Sequence, residues 1–386
     1  MDSPVPRSEV PYRRLSFFYF LYFALLGCIA PFWGLFLQTR EFSAEDIGFL
    51  MAAFAAIRIL APNLWAHAAG YFSSPLVMVR WAGVLTALCF AGVWWANSLS
   101  SMLLVMLAYG FFWAAMLPQY ETITMQALNN RIDDYSKIRL WGSVGFIVAV
   151  VALGWLFDVL SVNYLPAVML VIMLLITANG FFLSASATLR EEKKGQDFIS
   201  QALQKPVIVF ISITVLLQIS HGAYYTFFSI YLEQLGYSKS AIGLLWSLGV
   251  FSEVILFWQF HRLLHLLSWR GWVMTSLILT AVRWLLISQQ ADQLILLLVA
   301  QVLHAFSFGA MHAVSMRYIQ HYFSRANQAQ GQALYSSIGF GLGGAIGAWG
   351  CGIFWNKLGG DQVFVLSAVI AVVAFLIAWT GLRRDE

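Results

Sequence analysis

The amino-acid sequence predicts an all-α integral membrane protein, with twelve transmembrane helices arranged as two six-helix bundles. Composition is the first reason. Hydrophobic residues make up 60% of the 386, charged residues only 10%, and the mean hydropathy is +0.75. A soluble domain carries about 25% charged residues, so lipid is the solvent for most of this chain. At ~20 residues per helical span, its length holds roughly a dozen spans. The second reason is an internal copy. With a shift of 195 residues, Ser43-Ala-Glu-Asp-Ile-Gly-Phe-Leu50 meets Ser238-Lys-Ser-Ala-Ile-Gly-Leu-Leu245. At the same shift Phe32-Trp33 meets Phe227-Phe228, Gly27 meets Gly222, and Ala115-Met116 meets Ala310-Met311. One residue of slippage brings Ser143-Val-Gly-Phe146 onto Ser337-Ile-Gly-Phe340. The third reason is the placement of basic residues. With both termini in the cytoplasm, 15 of the 22 Lys and Arg fall in cytoplasmic segments, and only Arg40, Lys239 and Lys357 in outer loops. That bias orients membrane helices, and it requires an even number of spans.

In chain order the apolar runs place helices at 12–37, 44–66, 75–96, 99–128, 137–158 and 163–187, then at 206–235, 240–262, 271–289, 293–320, 328–355 and 361–381. The first follows Arg7, Arg13 and Arg14 and is longer than a signal-peptide core, so it reads as an uncleaved span. The most polar stretch, Arg190-Glu-Glu-Lys-Lys-Gly-Gln-Asp197, divides the halves. Residues 1–189 are therefore expected to form one bundle, 190–205 a cytoplasmic linker and 206–386 the second bundle. Gly339-Phe-Gly341-Leu-Gly-Gly344 matches a dinucleotide-binding pattern in form only, because it lies inside an apolar helix with no strand before it. Gly339, Gly343 and Gly347 are spaced for close helix contact instead.

Composition excludes several function classes. The net charge is +4, with basic residues one or two at a time, so nucleic-acid binding is not expected. Cys28, Cys89 and Cys351 are far apart in apolar runs, which gives neither a disulfide framework nor a metal site. The chain has no His-Glu-x-x-His and no serine-nucleophile motif, so it is not expected to be an enzyme. No cofactor is expected either. A membrane chain of two parallel copies points to a transporter with its site where the repeats face each other.

Ionisable residues within the predicted helices mark that site, because a charge at the bilayer centre costs about 2.5–3.5 kcal/mol on insertion scales. Glu121 and Arg139 lie nine residues either side of Asn130, the expected tip of the loop joining the fourth and fifth helices. They can meet at one depth as carboxylate and guanidinium, either as a clamp between helices or as a pair for which substrate competes. Glu253, in the eighth helix, has Arg58 as its repeat partner. Arg283 lies in the ninth helix and His304 in the tenth. An acid, a base and an imidazole on three neighbouring helices are the equipment of proton coupling. His221 and His312 are secondary candidates with Arg58. Tyr224, Tyr225 and Phe146 are candidate walls for a flat or ring-shaped solute.

Around Tyr135-Ser-Lys-Ile-Arg-Leu-Trp-Gly-Ser-Val-Gly-Phe146 the chain resembles the lactose-permease-like branch of the major facilitator superfamily, and within it the phenylpropionate permease group. The likeness runs over nearly the whole chain. It implies substrate-binding roles for Glu121, Arg139 and the aromatic Phe146, and roles in substrate binding and proton coupling for Glu253, Arg283 and His304. Two departures stand out. The related sugar carriers have an acidic residue where this chain has Ser307 and a lysine where it has Gln301. Glu253 is then the expected proton carrier, with His304 as relay. The resemblance implies a monomeric proton symporter of a bacterial inner (plasma) membrane, importing an aromatic carboxylate such as 3-phenylpropionate by alternating access. A sugar or nucleoside symporter, an efflux carrier and a non-transporting sensor are the alternatives.

Overall fold

In the computed structural model the described residues are 10–128, 131–183 and 197–383. Twelve helices among them are long and apolar enough to cross a membrane. They are α1 (Tyr12–Thr39), α2 (Ala44–Tyr71), α3 (Pro75–Trp95), α4 (Leu99–Ala127), α5 (Asp134–Val159), α6 (Val162–Phe182), α7 (Lys205–Gln234), α8 (Lys239–Leu266), α9 (Trp269–Gln290), α10 (Leu294–Tyr322), α11 (Gln328–Leu358) and α12 (Gly360–Gly381). The order and number are those expected. Asn130 and residues 190–196 of the expected linker lie outside the described residues. So does the side chain of Arg58.

The repeat is visible in how helices start. Ser43 caps α2: its hydroxyl accepts from the Asp46 amide at 3.1 Å, and the Asp46 carboxylate accepts from the Ser43 amide at 3.1 Å. Its copy Ser238 caps α8 by accepting from the Ala241 amide at 3.2 Å. Ser74 and Ser268 do the same for α3 and α9. Each cap satisfies an amide that the helix leaves without a partner. The sixth helix of each half ends on an arginine from the third. Arg80 donates to the carbonyls of Gly180 at 2.9 Å and Leu183 at 3.1 Å and lies over the Phe181 ring. Arg270 donates to the Trp379 carbonyl at 2.8 Å and lies over the Trp379 ring. A cation suits the negative end of a helix dipole.

Packing divides the described residues into two units. One holds those of Met1–Glu41 and Leu60–Glu191, the other those of Phe42–Ile59 and Glu192–Glu386. The expected division by chain order differs from this over 42–59. The reason is glycine contact with α11: a β-carbon on Gly48 would meet Gly352 Cα at 2.6 Å, and one on Gly341 would meet Ile59 Cγ1 at 2.6 Å.

In the first unit Gly27 of α1 crosses α5, where a β-carbon would meet the Phe146 carbonyl at 3.0 Å. Its copy Gly222 in α7 lies against the main chain of Gly347 in α11. The glycine run of α11 does what its spacing predicts. Substituents on Gly339, Gly343 and Gly347 would strike Thr214, the Val215 carbonyl and the Ile219 carbonyl, at 2.7, 2.8 and 2.6 Å. Close backbone approach replaces the hydrophobic drive that lipid does not supply. Two features had no sequence signal. Ala305–Ala310 of α10 and Tyr335–Gly343 of α11 are π-helical, and the wider turn re-aims the side chains around it.

Candidate functional site

In the first unit α1, α4 and α5 bring their polar residues together. Tyr19 and Phe23 share a face of α1, four residues apart. Arg139 of α5 reaches across to them: its guanidinium carbon lies 4.0 Å from the Phe23 ring centre and 5.7 Å from that of Tyr19. Gly142 leaves room for this. A β-carbon there would lie 2.8 Å from both Arg139 Nη1 and Phe23 Cδ2. Glu121 of α4 accepts a hydrogen bond from the Tyr135 hydroxyl at 3.3 Å. Tyr19 donates to Thr124 at 3.3 Å. Behind them stack Phe18 on Tyr120, at 3.4 Å between centroids, and Tyr22 on Trp113, at 4.9 Å.

The expected direct meeting of Glu121 and Arg139 needs correction. Among the described residues they form no ion pair within 4.0 Å. The guanidinium lies over an aromatic ring while the carboxylate is held by Tyr135. A planar, weakly hydrated guanidinium gains from such a face. Phe146 is buried at 6% exposure, with its main chain against Gly27. The rings over which Arg139 lies are those of Phe23 and Tyr19.

In the second unit α7 to α10 form a denser polar cluster. Arg283 of α9 is fully buried. Its Nε donates to the Ala300 carbonyl at 2.9 Å and its Nη1 to Ser307 Oγ at 3.2 Å, both on α10. Its guanidinium carbon lies 4.1 Å from the Tyr224 ring centre and 4.5 Å from that of Trp284. His304 of α10 puts Nε2 3.7 Å from the Glu253 carboxylate of α8. The π segment fits around that acid: a β-carbon on Gly309 would lie 3.1 Å from Glu253 Cγ. The Tyr224 hydroxyl donates to Gln301 Oε1 at 2.9 Å. The acid, base and imidazole expected on three neighbouring helices therefore do stand side by side.

The other candidates fall around this cluster. His221 marks the break in α7, with Nδ1 2.8 Å from the Leu217 carbonyl and its ring edge-on to Trp284. Tyr225 stacks on the His221 ring and packs against Tyr224. His312 lies two turns along α10 from His304, with Phe308 stacked on both rings, and meets the Tyr335 hydroxyl at 3.4 Å. Sequence reasoning missed Trp246, whose ring lies 4.5 Å from that of Tyr224, and Trp284, Tyr19 and Phe23 as members of these clusters, and counted Gln301 and Ser307 only as departures. Helical spacing could have found the last two, since each stands three residues from His304 and so shares its face.

Twelve apolar spans with ionisable residues gathered within each unit define the class, a membrane transporter. A model of the family described as MFS_1 like matches residues 12–366, and the chain belongs to that family of major facilitator transporters, which are not enzymes. The chain is 32% identical over 377 residues to a protein of Escherichia coli (strain K12) named "Probable 3-phenylpropionic acid transporter", covering 95% of this chain and 96% of that one. It is 26% identical to the maltose permease of Geobacillus stearothermophilus, covering 96% and 94%. Among solved structures, the nucleoside transporter NupG matches in fold with a TM-score of 0.86 at 17% identity, over 96% of this chain and 99% of that one. Twelve spans and bacterial relatives make this a multi-pass protein of the plasma membrane.

Proposed function

We propose that this transporter imports an aromatic carboxylate of the 3-phenylpropionate type together with a proton, as a monomer, by alternating access and without a cofactor. The observation that carries the reading is the Arg139 guanidinium lying over Phe23 and Tyr19. A guanidinium offers a carboxylate two parallel hydrogen bonds, and the rings beside it offer an arene an apolar face. Such a solute needs both within one molecule's reach. The name of the Escherichia coli relative agrees with this reading. Glu253 carries the proton in this scheme, and His304 at 3.7 Å relays it. Protonation of Glu253 removes a negative charge from the polar cluster of the second unit, which favours an incoming anion; proton and solute then favour each other's binding, as symport requires. Both termini face the cytoplasm.

A sugar is the second reading, favoured by the likeness to a maltose permease and by Glu121 and Tyr135, which can serve hydroxyl groups. Uptake of radiolabelled solute into vesicles that hold the purified protein, with a pH gradient imposed, separates the two. The expected result is accumulation of 3-phenylpropionate above equilibrium, abolished by a protonophore, with no accumulation of maltose or uridine. Accumulation of maltose alone would replace the first reading by the second. Accumulation of 3-phenylpropionate that a protonophore leaves unchanged would remove the proton from the scheme.

A further inference from the structure

Tyr135 and Arg139 stand four residues apart on α5 and so share a face of that helix. Both lean on the Tyr19 ring of α1. The Tyr135 ring lies edge-on to it at 6.4 Å between centroids, and the Arg139 guanidinium carbon lies 5.7 Å from the same centroid. Glu121 of α4 therefore has two donors to choose between on one helix face, a neutral phenol and a cation. It takes the phenol. The Tyr135 hydroxyl donates to its carboxylate at 3.3 Å, and among the described residues no carboxylate lies within 4.0 Å of Arg139. A carboxylate ordinarily gains more from a guanidinium, which offers two charge-assisted bonds, than from a neutral hydroxyl. The weaker partner wins here because the surrounding side chains fix the geometry.

On the arginine side the fixing is done by α1. The Phe23 ring centre lies 4.0 Å from the guanidinium carbon, and a cation gains from such a face. Gly142 leaves the group room to lie there, since a β-carbon at that position would stand 2.8 Å from Arg139 Nη1. On the phenol side the fixing is done by Tyr19, which is itself anchored. Its hydroxyl donates at 3.3 Å to Thr124 Oγ1, three residues beyond Glu121 on α4, and Thr124 donates in turn to the Tyr120 carbonyl at 2.7 Å. The Tyr19 ring held in this way backs the Tyr135 ring and keeps its hydroxyl on Glu121.

We propose that Tyr135 is a positioning residue that sets the charge specificity of the first unit: by engaging the Glu121 carboxylate it keeps that acid off Arg139 and leaves the guanidinium open to an anionic solute. An arginine already paired with Glu121 would present no net positive charge to a carboxylate. The consequence for solute choice rests on the reading that Arg139 anchors the solute. The separation of Glu121 from Arg139 by Tyr135 needs no solute and can be measured without one.

Two measurements on the full-length protein test this. In reconstituted vesicles Tyr135→Phe, which keeps the ring and removes the hydroxyl, is expected to raise the KM for 3-phenylpropionate about tenfold, the worth of one charge-assisted hydrogen bond, while the maximal rate holds. In a Glu121→Gln background, which has no acid to pair with Arg139, the same substitution is expected to leave KM where it was. A merely structural role for Tyr135 would raise KM in both backgrounds. The second measurement uses melting temperatures. Glu121→Gln, Arg139→Gln and the two combined, each made in the parent and in Tyr135→Phe, form a pair of double-mutant cycles. The interaction between positions 121 and 139 is expected to be small in the parent and stabilising in Tyr135→Phe. If the parent takes up no 3-phenylpropionate, the proposed function fails and the melting cycles alone decide on Tyr135. The proposal is overturned if the interaction is the same in both cycles. It is also overturned if, in a protein that transports, Tyr135→Phe leaves KM unchanged or raises it equally in the two backgrounds.

Discussion

Glu253 and Arg139 are single residues that a bilayer would reject unless they had work to do or partners to hold them. Their surroundings give them different work. Glu253 sits 3.7 Å from His304, a setting in which gain or loss of one proton changes the net charge of the pair. Glu253→Gln fixes the neutral state, so it is expected to abolish accumulation driven by a pH gradient while solute exchange across vesicles continues. Accumulation at the parent rate would remove Glu253 from the proton path. Arg139 has a geometric role, since its guanidinium lies over Phe23. Lysine keeps the charge but loses both the fork and the stacking. Arg139→Lys is therefore expected to raise the apparent KM for 3-phenylpropionate about 10- to 100-fold, the equivalent of ~1.4–2.8 kcal/mol for losing a charge-assisted bond. An unchanged KM would show that the carboxylate is held elsewhere.

At the scale of the element, glycines decide which helices can touch. Gly222 and Gly350 show the contrast. A β-carbon on Gly222 would run into the Gly347 main chain, whereas one on Gly350 of α11 meets nothing within 4 Å. Gly222→Ala is expected to destabilise by about 1–3 kcal/mol, the usual cost of overpacking. Gly350→Ala is expected to be neutral or to gain up to ~1 kcal/mol, because alanine loses less freedom than glycine in forming a helix. Melting curves of the two purified variants check both signs, and equal melting temperatures would contradict this account of the α7–α11 contact. These positions also show what the sequence made legible. The spacing of Gly339, Gly343 and Gly347 announced a close crossing, and the structure has one. The π segments at 305–310 and 335–343 were hidden, because a widened turn follows from hydrogen-bond competition along a folded helix and leaves no periodicity in composition. The parking of Arg139 on α1 was hidden for a similar reason. Arithmetic from a loop tip gives depth along a bundle, but the direction in which a side chain leans depends on Gly142 making room.

At the scale of the molecule, the copy that opens the sequence reappears as matched devices: paired N-cap serines, glycine crossings of the first helix on the fifth, and arginines that close the sixth helix. Because each half has six spans, both halves begin and end on one face of the membrane. The loop charges are the ground on which that face is assigned. The α7–α8 loop is read as outer, with Lys239 beside it, and the α8–α9 loop as inner, flanked by Arg262 and Arg270. Basic residues are retained on the cytoplasmic side during insertion, and reversing this chain would carry most of its basic loops across. A cysteine placed at Gly236, in the outer loop, is therefore expected to react in intact cells with a maleimide that cannot cross membranes. One placed at Leu267, in the inner loop, is expected to react only after the cells are opened. Cys28 and Cys351 are buried and give a low background, while the partly exposed Cys89 is replaced by serine first. Labelling at Leu267 from outside, with Gly236 protected, would invert the orientation and with it the inward direction assigned to the solute.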